Sequence, residues 1–352
     1  MNERIISTGR RAFLAGSAAA LAAGLAFPRG AGAQSVAPRR IDVHNHLVPP
    51  PYLAAGRRQI TAGADVNPTA VLNWNPAHAI EEMDRSGVAV AMLSMSTPGI
   101  STLGGGREQW RKLARACNEY AASLLRDFPG RFGNFAAVPL PDVEGSLAEA
   151  VHALDVLKAD GIGILSSYGA TYPGDPTFRP LFAELNRRKA VVFVHPTSPQ
   201  CCATSLPGIA SSLDEFMFEV TRAITSMLFG GTFAMFPDIH FIFTHAGGTT
   251  TPISARINAF AARHHEYDAA VPHGVYYELK KLHYDIANST NPSAMAALMN
   301  LVPTSQILFG SDTPYVPIAA TATGLDKTAL PDDVRSAIDR GNALRLFPRL
   351  AG

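Results

Sequence analysis

Eight short apolar runs, alternating with eight longer helical patterns, predict a single α/β domain built as a (β/α)8 barrel behind an N-terminal export signal. The runs are residues 40–44, 88–93, 133–138, 161–165, 190–195, 239–245, 282–287 and 307–312. Helical patterns follow them at 76–86, 107–128, 146–159, 178–189, 213–236, 252–267, 292–301 and 331–346. The runs are nearly all apolar, as strands of a parallel sheet covered on both faces are. A doubly wound open sheet is the alternative, but no glycine-rich nucleotide loop follows the first run to favour it.

The chain of 352 residues opens with Arg10 and Arg11, then Phe13 and Leu14, an Ala, Leu and Gly run, and Ala31-Gly32-Ala33 before Gln34. This order reads as a twin-arginine signal over residues 1–33, with an ordinary secretory signal or an uncleaved anchor as the alternative. The apolar stretch 12–27 is short for a membrane span and broken by glycines, so no stable membrane anchor is expected. The mature chain, 34–352, is expected to be periplasmic or secreted. Hydrophobic residues make up 47% of the chain, enough for a large core. A formal net charge of +1 gives no electrostatic case for nucleic acid or acidic membrane. Three cysteines, Cys117, Cys201 and Cys202, do not form an even disulfide framework. The vicinal pair reads as structural or as a vicinal disulfide, with a thiolate near a metal as the other reading.

The first run sits in I-D-V-H-N-H-L-V-P-P, Ile41 to Pro50. Side chains alternate along a strand, so His44 and His46 leave the same face where the strand meets its loop. Such a pair suits a divalent transition metal. The insert 47–75 is longer than a usual βα loop and is expected to cover the mouth, with Tyr52, Arg57, Arg58 and Trp74 as candidates to touch substrate. The fifth run ends F-V-H-P at His195, the sixth F-T-H-A-G-G at His245, and the eighth F-G-S-D-T-P at Asp312. In a barrel these C-terminal ends surround one mouth, so four imidazoles and one carboxylate predict a shared metal site. Zinc with an open position lowers the pKa of bound water, and a histidine not committed to metal moves protons near neutral pH. Glu219 and Arg222 read equally as an internal pair, and the remaining histidines as structural.

Taken together, D-V-H-N-H, E-E-M-D-R-S-G-V, F-V-H-P, G-G-T-F-A-M-F-P-D-I-H-F-I-F-T-H-A-G-G, F-G-S-D-T-P and the terminal G-N-A-L resemble the amidohydrolase superfamily. The resemblance is nearer to its branch of aminocarboxymuconate semialdehyde and salicylate-type decarboxylases, and covers nearly the whole mature chain. It implies one metal ion, usually Zn2+, held by His44, His46, His195 and Asp312, with His245 beside it as acid/base. Binuclear relatives carry a carbamylated lysine at the end of strand four; this chain has Ile164-Leu165-Ser166-Ser167 there, which favours one metal. The resemblance also places Arg256 where an arginine reaches a neighbouring subunit's site, implying a homodimer. An ordinary solvated helix arginine is the plainer reading. Thr197-Ser198-Pro199 stands where the muconate enzymes have a Trp, and Tyr315 where they have a Phe.

Those departures favour an aromatic hydroxy acid, of the methylsalicylate type, over a muconate. The expected activity is therefore metal-dependent, non-oxidative decarboxylation of a small carboxylic acid, with His245, Asp312 and Arg256 as the catalytic set. Export favours the alternative, a mononuclear zinc hydrolase of a lactone, ester or amide. A metal-binding barrel without catalysis would have no need of His245 beside an open metal position.

Overall fold

Eight parallel strands lie side by side in chain order: β1 (Arg40–His46), β2 (Val88–Ser94), β3 (Phe132–Ala137), β4 (Gly161–Leu165), β5 (Val191–His195), β6 (His240–Phe243), β7 (His283–Asp285) and β8 (Ile307–Leu308). The computed structural model describes residues 39–63, 67–202 and 206–351; the export signal expected at 1–33 lies outside them. At the seam between β8 and β1, the Val43 N–H donates to the Phe309 carbonyl at 2.9 Å and the Asp312 N–H to the His44 carbonyl at 2.7 Å. The sheet is thus a nearly closed barrel, as expected of a (β/α)8 fold.

Helices α1 (Pro50–Gly63), α2 (Pro68–Leu72), α3 (Pro76–Arg85), α4 (Arg107–Asp127), α5 (Val143–Asp155), α6 (Arg179–Arg187), α7 (Glu215–Phe229) and α8 (Thr232–Met235) account for the first two-thirds of the described chain. After them come α9 (Thr250–Ala261), α10 (Val275–Lys281), α11 (Pro292–Leu301), α12 (Ile318–Lys327), α13 (Asp332–Ser336) and α14 (Asn342–Leu346). Several start with proline at the first turn behind an Asn cap, as at Asn75 and Asn291, where the missing N–H costs no helical bond.

Strand alternation divides the core in two. Val90 and Met92 of β2, Val191 and Phe193 of β5, and Ile242 of β6 form the barrel's inner cluster. Their neighbours Ala91, Leu93, Val192, Val194, Phe241 and Phe243 join the outer cluster with the helices. Both faces are buried, which is why no polar alternation was visible in the runs. Phe135 and Phe193 stack at 5.0 Å inside the barrel, and the His44 ring sits 5.2 Å from Phe193, so the mouth stands on an apolar plug.

Four expectations are corrected. The first strand runs two residues further, so His44 and His46 both lie within it, while the prolines after it open α1. The last three strands are shorter than the apolar runs, and the residues that follow them include left-handed ones at His245 (φ 53°), Asn288 (φ 56°) and Asp312 (φ 73°). The insert 47–75 is largely helical, and no described residue of it lines the mouth cavity. Arg57 and Arg58 are exposed, and Tyr52 is buried with its hydroxyl accepting from the Gly99 N–H. Trp74 faces a separate cavity beside Thr313 and Pro314. Finally, the pattern 213–236 divides into α7 and α8 at Gly230-Gly231, where Gly231 takes a φ of 75°. Helices α10 and α12 were not anticipated at all.

Candidate metal centre

Strand β1 brings His44 and His46 together with their rings 4.9 Å apart; β5 adds His195, and the turn after β8 adds Asp312. One donor atom from each lies within 4.8 Å of the others, and all four residues are buried. The closest spacings are 3.1 Å between His44 Nε2 and His46 Nε2, 3.1 Å between His46 Nε2 and Asp312 Oδ1, and 3.2 Å between His44 Nε2 and Asp312 Oδ1. Donors about 3 Å apart are what ligands at roughly 2.1 Å from a shared cation require.

The outer nitrogens explain why the inner ones are available. His44 Nδ1 is held by Asp285 Oδ2 at 2.9 Å, His46 Nδ1 by the Ser94 carbonyl at 3.3 Å, and His195 Nδ1 by the Pro196 carbonyl at 2.7 Å. A ring that donates from Nδ1 keeps its Nε2 lone pair for a metal. The three imidazoles are therefore set in the ligand tautomer.

Charge points the same way. Burial alone lowers a histidine, and it holds His46 below, and His195 well below, the usual imidazole value. At His44 burial also pulls down, but the Asp285 and Asp312 carboxylates outweigh it and push the ring up to about 10. Burial likewise opposes the charge of Asp312, yet His44 and His46 keep that carboxyl well below the ordinary range. Two buried carboxylates facing this cluster call for a positive charge at its centre, and a divalent cation at Nε2 meets that demand as a proton would. These residues thus form a His/Asp metal-binding site.

His245 adjoins the group, its ring centroid 5.0 Å from that of His44, but its nitrogens are not among the donor atoms that cluster within 4.8 Å of one another. Its backbone N–H donates to Asp285 Oδ1 at 3.0 Å and its Nδ1 faces the Ala287 carbonyl at 3.2 Å. Asp285, fully buried, therefore supports both a metal-site histidine and the turn that carries His245. Sequence reading missed it; an acidic residue inside an apolar strand run was the available signal. Asp42 was missed too, and its carboxylate accepts from the Ser311 N–H at 3.0 Å and the His44 N–H at 3.1 Å, tying β1 to the turn before Asp312.

A cavity of about 580 Å³ opens onto His195, His245 and Asp312. Its apolar wall includes Ile209, Leu213, Phe216, Met217 and Val316, and its polar groups include Ser96, Thr97, Ser212 and Asn288. Asn288 Nδ2 donates to Asp312 Oδ2 at 3.1 Å. Tyr315, expected near the metal, lies 5.4 Å from the His46 ring. Arg256 is exposed on α9 and does not line the cavity of its own chain. Glu219 and Arg222 form the internal pair, 3.0 Å apart, with Glu219 also accepting from Ser167 and Tyr172. Cys201 and Cys202 are joined as a vicinal disulfide, so neither is a thiolate ligand.

Among curated relatives, the chain is 34% identical to decarboxylase yanB of Aspergillus niger, covering 88% of each. It is 33% identical to the 6-methylsalicylic acid decarboxylase of Penicillium expansum, covering 89% of this chain and 97% of that one. Among solved structures, the 5-carboxyvanillate decarboxylase of Novosphingobium aromaticivorans, complexed with manganese and a nitrobenzoic acid, superposes with a TM-score of 0.80. That match covers 90% of this chain and 97% of the other at 18% identity, a likeness of fold. The family model described as amidohydrolase matches residues 41–349, and with it the histidines and Asp312 of the metal centre. The chain belongs to the amidohydrolase family.

Proposed function

We propose that the protein is a metal-dependent, non-oxidative decarboxylase of a small hydroxy-aromatic carboxylic acid. The observation that carries the reading is the pairing of a three-histidine, one-carboxylate metal site with a largely apolar cavity that meets one further buried imidazole, His245. The decarboxylase relatives, matched over nearly their whole length, support it. A bound cation would polarise a substrate oxygen and offset the charge of the acid. His44, His46, His195 and Asp312 hold it; zinc suits three imidazoles and a carboxylate, and manganese is the ion in the structurally similar carboxyvanillate enzyme.

The apolar wall seats a planar ring and excludes water. In the net reaction the bond between ring and carboxylate breaks, its electron pair stays on the ring carbon, a proton takes that carbon, and CO2 leaves. His245, kept below its usual pKa by burial and oriented by the Ala287 carbonyl, holds and moves that proton at Nε2, with Asp312 as its charged neighbour. No lysine or arginine lines the described cavity, so the carboxylate clamp comes from elsewhere. Arg256 supplies it across a homodimer; Ile253 and Phe260, both partly exposed, flank it on the same helix face as an apolar contact. The chain is exported by the twin-arginine route, for which Arg10 and Arg11 are the support.

The test offers the purified zinc-loaded and manganese-loaded protein a panel of hydroxybenzoates beside aryl esters and lactones. CO2 with the matching phenol is expected. Acid release from esters or lactones, with no CO2 from any hydroxybenzoate, would assign the site to hydrolysis instead.

A further inference from the structure

The cavity is larger than a bare hydroxybenzoate needs. Such an acid has ten heavy atoms, and even at about 30 Å³ each, the share of a water in the liquid, it fills about half of the 580 Å³. The remaining space has a definite chemistry. Among the described lining residues Asp312 is the only carboxylate and there is no lysine or arginine, so a second acid group would find no cation in that lining. Away from the metal, the lining continues through Phe216 and Met217 to Ile209 and Leu213. Those two face both ways: Ile209 is 47% exposed and Leu213 71%, with Leu206 of the same segment 51% exposed. Apolar surface running from a buried metal site to solvent is an uncommon feature of a soluble protein and calls for an apolar occupant.

We infer that the substrate is a monocarboxylic hydroxybenzoate bearing an alkyl chain longer than methyl, whose tail lies along the 206–217 segment toward the mouth. This rests on the decarboxylase reading and narrows its substrate class. The acid and its neighbouring hydroxyl occupy the metal end; the tail covers Ile209 and Leu213. Dicarboxylic acids are disfavoured because the partner subunit's Arg256 is taken by the first carboxylate and the cavity's own lining holds no cation for a second.

The experiment compares salicylate with its 6-methyl, 6-propyl and 6-pentyl derivatives on the metal-loaded full-length protein, measuring CO2 and phenol. Binding of the product series from phenol to 3-pentylphenol is followed by calorimetry. Each buried methylene is expected to raise kcat/KM about two- to fourfold. In Leu213→Ser and Ile209→Ser the loss relative to wild type should grow with chain length. A flat or falling series beyond methyl, or a loss equal for every member, overturns the tail assignment. Absence of CO2 from every acid overturns the decarboxylase reading itself; the phenols then test the tail alone, which fails when affinity is independent of chain length. Sedimentation of the same variants guards the remaining case: a Leu213→Ser protein that loses its dimer while keeping the chain-length slope assigns this surface to a subunit contact and overturns the proposal.

Discussion

Strand β7 carries a buried titratable residue at each end, His283 toward the N-terminal side of the barrel and Asp285 toward the mouth, both on the face opposite Tyr284. His283 has the His240 ring 5.9 Å away and Arg345 nearby. Burial, and then the neighbouring His240 and Arg345, push it down to about 4, so it stays neutral in the fold. Asp285, two residues on, does the opposite for His44, which is as deeply buried and yet is raised to about 10. Burial silences a histidine; a carboxylate behind it turns the same side chain into a seat for positive charge. The barrel's two ends therefore use one residue type for packing and for metal chemistry respectively.

Removing a ligand from the mouth should have the largest effect. His44→Ala is expected to lose the metal, read by elemental analysis, and with it activity by at least about a thousandfold. His245→Asn should keep the metal and lose kcat by about 10²- to 10⁴-fold; equal metal loss in the two variants would make His245 a ligand and remove its separate role. Asp285→Asn, which keeps shape but removes the charge behind His44, should weaken metal affinity about 10- to 100-fold in a chelator competition. Affinity unchanged by that substitution would break the contrast between the two ends of β7.

The far end should answer in stability, not activity. His283 is neutral in both states above its unfolded pKa of 6.5; as pH falls toward about 4 the unfolded chain takes up a proton that the folded chain refuses. Stability is then present above pH 6.5 and lost on the way down to pH 4, by up to about 3 kcal/mol. Urea unfolding of His283→Phe and wild type across that window should show the smaller slope in the variant, with metal content unchanged at neutral pH. Identical slopes would mean that His283 protonates in the fold.

Much of this is legible in the amino-acid sequence. Apolar runs separated by helical patterns determine the order of strands, because both faces of a parallel sheet must be buried. The inward direction of His195 follows as well, since it shares its face with Val191 and Phe193; that of His44 and His46 does not, because Ile41 and Val43 already belong to the inner cluster and the strand register breaks between Asp42 and Asn45. His245 does not follow. Phe241 and Phe243 pack outward against the helices, and a strand continued to residue 245 would send the imidazole with them. A left-handed turn, fixed by Asp285 accepting from the His245 N–H, swings it into the mouth instead. The same holds for the insert 47–75 and the segment 206–217: length alone marked the first as the cover, but packing gave the lining of the mouth to the second. Local alternation is a short-range rule that sequence carries; which backbone departs from it, and which loop meets the metal, depend on tertiary contacts such as that between His245 and Asp285, 40 positions apart.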